Sequence, residues 1–168
     1  MEYKKKNFYV ENISTEKLSK KFKTPLYCYS YSRLKNNISN FKYHFKNINP
    51  LICFSVKSNS NPFILKSLKN LGSGADVVSS GELLKALKAG IKANKIVFSG
   101  VGKSEEEIKL AIKNKILLIN IESESEANLI NKISKQSNKK TSVGLRLNPN
   151  VYTDTHRKIS TGSSTDKF

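Results

Sequence analysis

Four times in succession this chain runs a short, nearly unbroken apolar stretch into an amphipathic one: LICFSV into NPFILKSLKNLG, GADVVS into SGELLKALKAGI, KIVFSG into SEEEIKLAIKNK, and ILLINIE into SESEANLINKISKQ. A further apolar run, TSVGLRLNPNV, closes the series. The period of roughly 20–25 residues is that of βα units. Parallel pairing requires such a crossover, because no tight turn can return a second strand in the same direction. The runs do not alternate with polar residues, so their strands are expected to be buried on both faces, as inside an α/β barrel or a doubly wound sheet.

The ends of the elements carry their own chemistry. Ser104 precedes Glu105, Glu106 and Glu107, which predicts an N-cap hydroxyl, first-turn acids and a capping box closed by Glu107. Gly72 and Gly90 fall where helix C-caps belong. Before the series, an irregular start leads to STEKLSKKF, a short helix capped by Ser14 or Thr15 with Leu18 and Phe22 one turn apart. TPLYCYSYS, opened by Pro25, reads as a strand, and RLKNNISNFKYHF sets Leu34, Ile38, Phe41 and Phe45 on one helical stripe. No helix follows the last strand, and about five strands fall short of the ~250 residues of a closed eightfold barrel. Open sheet edges and uncovered apolar faces predict association of the isolated chain rather than a stable monomer.

The formal net charge of +17 raises the question of a nucleic-acid partner. Arginine is confined to Arg33, Arg146 and Arg157, while lysine is spread along every predicted helix. Abundant Lys, Asn, Ile and Ser together are what AT-rich codons produce, so the charge reads as solvated surface and no nucleic-acid partner is expected. A basic nucleic-acid-binding module stays as an alternative that predicts steeply salt-dependent binding. Cys28 and Cys53 sit in apolar stretches without metal-ligand spacing; they read as buried core thiols in a reducing, cytoplasmic setting, and no metal is expected. MEYKKKNFYVENIS lacks the apolar core of a signal peptide, and no run approaches the ~20 apolar residues of a membrane span.

One residue breaks the pattern: LICFSV ends on Lys57. A lysine there can simply snorkel out of a strand end. In a (β/α) barrel, however, chemistry gathers at the carboxyl ends of the strands, where lost hydration favours a neutral amine able to attack an aldehyde and form a Schiff base. Position alone leaves both readings open.

The surrounding residues resemble a family. CFSVKSNSNP is similar to the cofactor-lysine motif of the alanine-racemase-like, fold type III pyridoxal-phosphate enzymes, in particular the diaminopimelate decarboxylases. GADVVSSGELLKALKAGI, IVFSGVGKSEEEI, INIESESE, VGLRLNPNV and THRKISTG follow in that family's order, so the resemblance spans residues 25 to 168. It implies a partial (β/α)8 TIM-type barrel over 31–168, with residues 1–30 belonging to a helix and strand that join a β domain absent from this chain. It also implies pyridoxal 5'-phosphate held on Lys57, with Asp76, Arg146 and His156 matching positions at or near the cofactor pocket. The bland reading of Asp76 and Arg146 is a salt bridge inside the barrel mouth, and that of His156 a solvated loop histidine.

The family reaction is decarboxylation of meso-diaminopimelate to L-lysine, with a small-molecule amino acid substrate and a homodimer as partners. Ser80 replaces a glycine common in the family and is expected to serve as a helix N-cap, with Glu82 as a favourable first-turn charge. The family's phosphate-binding glycines, the acid facing the pyridine nitrogen, the substrate-binding arginines and a catalytic cysteine are expected further along a longer chain, so this one is expected to be an amino-terminal fragment. Alternatives are a related decarboxylase of ornithine, arginine or carboxynorspermidine, and a non-enzymatic single-barrel pyridoxal-phosphate protein.

Overall fold

The structure, a computed structural model, describes residues 2–4, 6–151, 154–156, 159 and 161. Its contacts divide the chain into two units, Met1–Ile52 and Cys53–Phe168.

The first unit opens with a small antiparallel meander, β1 (Glu2–Lys4), β2 (Asn7–Val10) and β3 (Ile13–Ser14), where the sequence predicts an irregular start. Strands this short cannot display a period-two pattern, so periodicity misses them. Helix α1 (Thr15–Phe22) begins at Ser14, whose hydroxyl accepts the Lys17 N–H at 3.2 Å, and α2 (Tyr31–His44) begins at Ser30. The Glu11 carboxylate ties that second start down: it accepts the Ser30 hydroxyl at 2.5 Å, and the Ser32 N–H and hydroxyl at 2.9 and 2.7 Å. Hydrogen bonds from the Ser30 hydroxyl and then from Ser32 to its charged form lower Glu11 to about 2.

TPLYCYSYS forms no strand. A strand exists only where a neighbour takes its N–H and C=O groups, and no described residue does so here. Cys28 is therefore not a core strand residue; it and Cys53 are both half-buried. Of the expected stripe on α2 only Ile38 is buried, and Phe41 and Phe45 stack on each other, exposed, with ring centroids 5.9 Å apart.

In the second unit each apolar run becomes one strand: β4 (Cys53–Ser55), β5 (Gly74–Val77), β6 (Ile96–Phe98), β7 (Leu118–Ile121) and β8 (Val143–Leu145). All pairs are parallel, and each strand lies beside its predecessor in the chain. A doubly wound sheet reverses its strand order partway across, so this unreversed order is that of a barrel wall. The intervening helices are α3 (Pro62–Asn70), α4 (Ser80–Lys88), α5 (Glu105–Asn114) and α6 (Glu124–Gln136). They pack side by side in chain order, α4 against β5 and β6, and α6 against β7.

Between helices and sheet, Leu65, Leu83, Ala86, Ile108, Val77, Phe98 and Ile119 are wholly buried and form the core. Gly72 and Gly90 terminate α3 and α4 with φ of 81° and 88°, each in a Schellman pattern: Ser73 N–H reaches Leu68 C=O and Ile91 N–H reaches Ala86 C=O. At the far side, Val143 and Leu145 of β8 are 48% and 73% exposed, an uncovered apolar edge.

The turns into α4, α5 and α6 follow one design. A serine caps the helix and a glutamate three residues on reaches back to a backbone N–H. Ser79 and Glu82 do this for α4, where Glu82 accepts Val78 N–H at 3.0 Å; the cap is Ser79, not the expected Ser80, which occupies the first helical position. Ser104 and Glu107 form the expected capping box on α5, and Glu107 also accepts Ser80 N–H at 2.8 Å. Burial alone would raise Glu107, but these backbone and hydroxyl donors outweigh it and hold the carboxyl below its ordinary value. On α6, Ser123 is the cap and Glu126 accepts Glu122 N–H at 2.8 Å.

Glu126 has a second task. Its other oxygen accepts Lys103 Nζ at 3.0 Å, and Lys103, with a side chain only 2% exposed, also donates to the carbonyls of Gly100 and Asn120 at 2.6 and 2.7 Å. All three ammonium donors are thus used, which is what makes a buried charge tolerable.

Two outcomes test these links. Lys103→Met should lower the unfolding free energy by ~3–5 kcal/mol, because Glu126 stays buried without its counter-charge, whereas Ser104→Ala should cost only ~1 kcal/mol. Urea titrations giving equal losses would show that the buried pair is not a structural clip. Glu11 stabilises the fold fully above its unfolded carboxyl value and loses that contribution as pH falls through about 2. Glu11→Gln should therefore be less stable than the parent at neutral pH and converge with it in acid, followed by circular dichroism between about pH 5 and about pH 1.

Candidate functional site

Successive side chains of a strand point to opposite faces, so the row Val77, Phe98, Ile119 that faces the helices leaves a second row on the other face. That row runs through Ser55, Asp76, Val97, Leu118, Asn120 and Gly144 in register. Because the strands are parallel, its upper end lies at their carboxyl ends, and there it is polar.

Asp76 on β5 is the centre of this belt. Its Oδ2 accepts the Ser55 hydroxyl at 3.3 Å and its Oδ1 accepts the Ser99 hydroxyl at 2.5 Å. Ser99 in turn accepts the Asn120 side-chain N–H at 2.9 Å, which fixes the direction of every proton in the chain: amide to hydroxyl to carboxylate. Gly144 completes the row by having no side chain. A Cβ there would lie 2.5 Å from Asn120 Oδ1 and displace the amide that donates to Ser99.

One step further along β7, the Glu122 side chain is only 3% exposed. Its Oε1 accepts the Gly100 N–H at 2.6 Å. Its Oε2 is buried and, among the described residues, accepts no hydrogen bond; it lies 3.7 Å from a guanidinium nitrogen of Arg146, which follows β8 and is about one-third exposed (35%). The ion pair at the strand ends is therefore Arg146 with Glu122, while Asp76 binds serine hydroxyls.

Lys57 does not end a strand. β4 stops at Ser55, and Lys57 lies in the 3-10 turn Val56–Ser58, which packs beside β5 and α4. The sequence expects a dehydrated amine; here Lys57 is exposed. Among the described residues its Nζ makes no hydrogen bond or ion pair. Cys53 lies on the same face two residues before Ser55; burial first and the Asp76 charge second push its thiol up, and Sγ donates weakly to Lys95 C=O at 3.8 Å. That keeps it an unreactive thiol. His156 is exposed, follows the last strand, and its carbonyl accepts Ile159 N–H.

The edge thus gathers an accessible amine, an oriented carboxylate, a hydroxyl–amide relay and a guanidinium. Together they suit an anionic ligand that carries a carbonyl carbon. Sequence reasoning finds Lys57, Asp76 and Arg146 but passes over Ser55, Ser99, Asn120 and Glu122. The signal for Glu122 is the one that exposes Lys57: an ionisable residue at the end of an apolar run, in LLINIE.

Comparison with known proteins bears on this arrangement. The chain is 49% identical over 153 residues to a diaminopimelate decarboxylase of Helicobacter pylori strain J99, covering 91% of this chain and 38% of the relative. It is similar to the crystal structure of diaminopimelate decarboxylase from Helicobacter pylori complexed with L-lysine, with a TM-score of 0.88 and 47% identity over 92% of this chain and 39% of that one. It also matches the structure from M. jannaschii in co-complex with L-lysine, with a TM-score of 0.90 and 38% identity over 99% of this chain and 40% of that one. The chain therefore spans about two-fifths of the length of these relatives. Residues 31–168 match the family model of the pyridoxal-dependent decarboxylases, in its pyridoxal binding domain, and the chain belongs to that family.

Proposed function

We propose that this chain is the cofactor-holding part of a decarboxylase that converts meso-2,6-diaminopimelate into L-lysine and carbon dioxide, with Lys57 as the residue that carries pyridoxal phosphate. The observation that supports it most is the placement of an accessible amine on the turn after β4, which packs beside β5, whose Asp76 heads the polar chain through Ser99 to Asn120. Relatives 41–49% identical to this chain carry the diaminopimelate decarboxylase name, which favours that substrate over ornithine, arginine or carboxynorspermidine.

The residues present fit the aldehyde end of the cofactor. Pyridoxal phosphate, when bound, supplies the electron sink that receives the bonding pair as carbon dioxide leaves. Lys57 Nζ, in its neutral form, would be the nucleophile that holds the group. Its turn is short and anchored: Asn59 N–H closes it on Val56 C=O at 3.0 Å and the Ser58 hydroxyl donates to Ser55 C=O at 2.7 Å, so the backbone beneath the amine is held. Asp76 is an acceptor whose two oxygens are already oriented by hydroxyl donors; it can receive an N–H from an amine on this face without reorganising. Arg146 brings a fixed positive charge and planar donors suited to a carboxylate or phosphate.

The test is covalent trapping. Borohydride reduction of the chain mixed with pyridoxal phosphate should add one pyridoxyl group, mapped by mass spectrometry to Lys57, and Lys57→Ala should abolish it. A modified peptide from the same turn in the Lys57→Ala protein, or scattered modification of the surface lysines at equal rates, overturns the assignment. Release of L-lysine from meso-2,6-diaminopimelate, against ornithine and arginine as rival substrates, tests the substrate.

A further inference from the structure

The side-chain chain Asn120–Ser99–Asp76–Ser55 links β7 back to β4, and the backbone beneath it is held at each step. Ser99 follows β6, and its N–H donates to Val77 C=O at 2.8 Å, one step past the last β5–β6 pair. Asn120 stands opposite Gly144 in register, and its C=O accepts Lys103 Nζ at 2.7 Å. Ser55 pairs with Asp76 in register, and its C=O accepts the Ser58 hydroxyl at 2.7 Å. The chain therefore ends at the base of the turn that carries Lys57.

Direction separates this chain from a mere row of polar side chains. A hydroxyl has one proton to give and an ionised carboxylate has none. Because the Asn120 amide donates to Ser99 Oγ, the Ser99 proton goes to Asp76 Oδ1 without competition from Asn120. An amide turned the other way would present its carbonyl oxygen to Ser99 and contend with Asp76 for that proton. Gly144 gives the carbonyl oxygen its place on the opposite side, where a Cβ would lie 2.5 Å from Asn120 Oδ1. Of the two hydroxyls on Asp76, Ser99 at 2.5 Å is the close one and Ser55 at 3.3 Å the distant one, so the contact that Asn120 directs is the one that fixes the carboxylate.

We propose that Asn120 is a positioning residue: acting through Ser99, it holds the Asp76 carboxylate as a fixed acceptor beside the Lys57 turn, so that this face is ordered before the cofactor arrives. This rests on the reading of the chain as a pyridoxal-phosphate decarboxylase. Physically, a carboxylate free to rotate must be ordered when a ligand binds, which costs affinity, whereas one already fixed by a donor needs no reorganisation.

The experiment is a double-mutant cycle on the whole chain: parent, Asn120→Leu, Ser99→Ala and the pair, with Ser99→Thr as the conservative rescue. Readouts are the rate of borohydride trapping of Lys57 at limiting pyridoxal phosphate, the apparent Kd for the cofactor and the thermal midpoint without it. Asn120→Leu and Ser99→Ala should each slow trapping and weaken binding about fivefold, and the pair no more than Ser99→Ala alone. Ser99→Thr keeps the hydroxyl and should recover most of what Ser99→Ala loses. Asn120→Asp, which puts an acceptor where the donor stood, should slow trapping more than Asn120→Leu does. Ser104→Ala, which lowers the thermal midpoint through a helix cap alone, should leave trapping unchanged. Additive losses, parent-like trapping in Asn120→Asp, or trapping that simply follows the thermal midpoint through every variant overturn the positioning role. Should the Asn120 variants fail to fold, equal trapping in Ser99→Ala and Ser99→Thr overturns it too. Absence of Lys57 trapping in the parent is a different failure, which sinks the cofactor reading and this role together.

Discussion

Parallel pairing sends every strand of a sheet out at the same edge. Once β4 to β8 pair in parallel and in chain order, their carboxyl ends must line up, and whatever follows each strand is delivered to one place. Asp76, Ser99 and Asn120, and likewise Glu122 and Arg146, are far apart in the chain and meet in space for that reason. The apolar row Val77, Phe98, Ile119 supplies the driving force by burying itself under the helices, and the polar row follows because side chains alternate. The site is the reverse side of the core.

An edge of this kind needs stiff turns, since each strand has only three or four residues and little ladder to hold it. The serine and glutamate pairs at the starts of α4, α5 and α6 supply this. Each satisfies N–H groups that a helix start leaves open, and each also reaches beyond its own helix: Glu107 to Ser80, Glu126 to Lys103 and to the backbone of Glu122. The groups that cap the helices therefore also brace the carboxyl edge of the sheet. Lys103 joins two such turns through Gly100 and Asn120, and Asn120 is itself a member of the Asp76 belt.

What could be read in the sequence, and what could not, divides along range of interaction. The βα succession, the glycine C-caps and the capping box at Ser104 depend on residues a few positions apart, and local pattern exposes them. The meander of the first unit escapes because its strands are too short for periodicity. TPLYCYSYS misleads because β-propensity describes a residue's fitness for a sheet without supplying the partner strand. Ser79 rather than Ser80 caps α4 because the choice between adjacent serines is made by which hydroxyl faces the Glu82 N–H, a matter of backbone angle. The Ser55–Asp76–Ser99–Asn120 chain is wholly non-local, and no one segment contains more than one of its members.

The net charge of +17 hides this logic, because most lysines are alike in sequence and only their surroundings separate them. Lys103 and Lys57 both follow strands of the same sheet and both lie among serines and glycines or asparagines. Lys103 is buried and spends its three donors on Gly100, Asn120 and Glu126, so it has none to offer a ligand. Lys57 stands on the opposite footing: it is exposed, its backbone is braced, and no described residue takes its amine. Such an amine adds no contact among the described residues and stays accessible to solutes. Exposure on a braced turn, against burial with every donor used, is thus what separates Lys57 from Lys103.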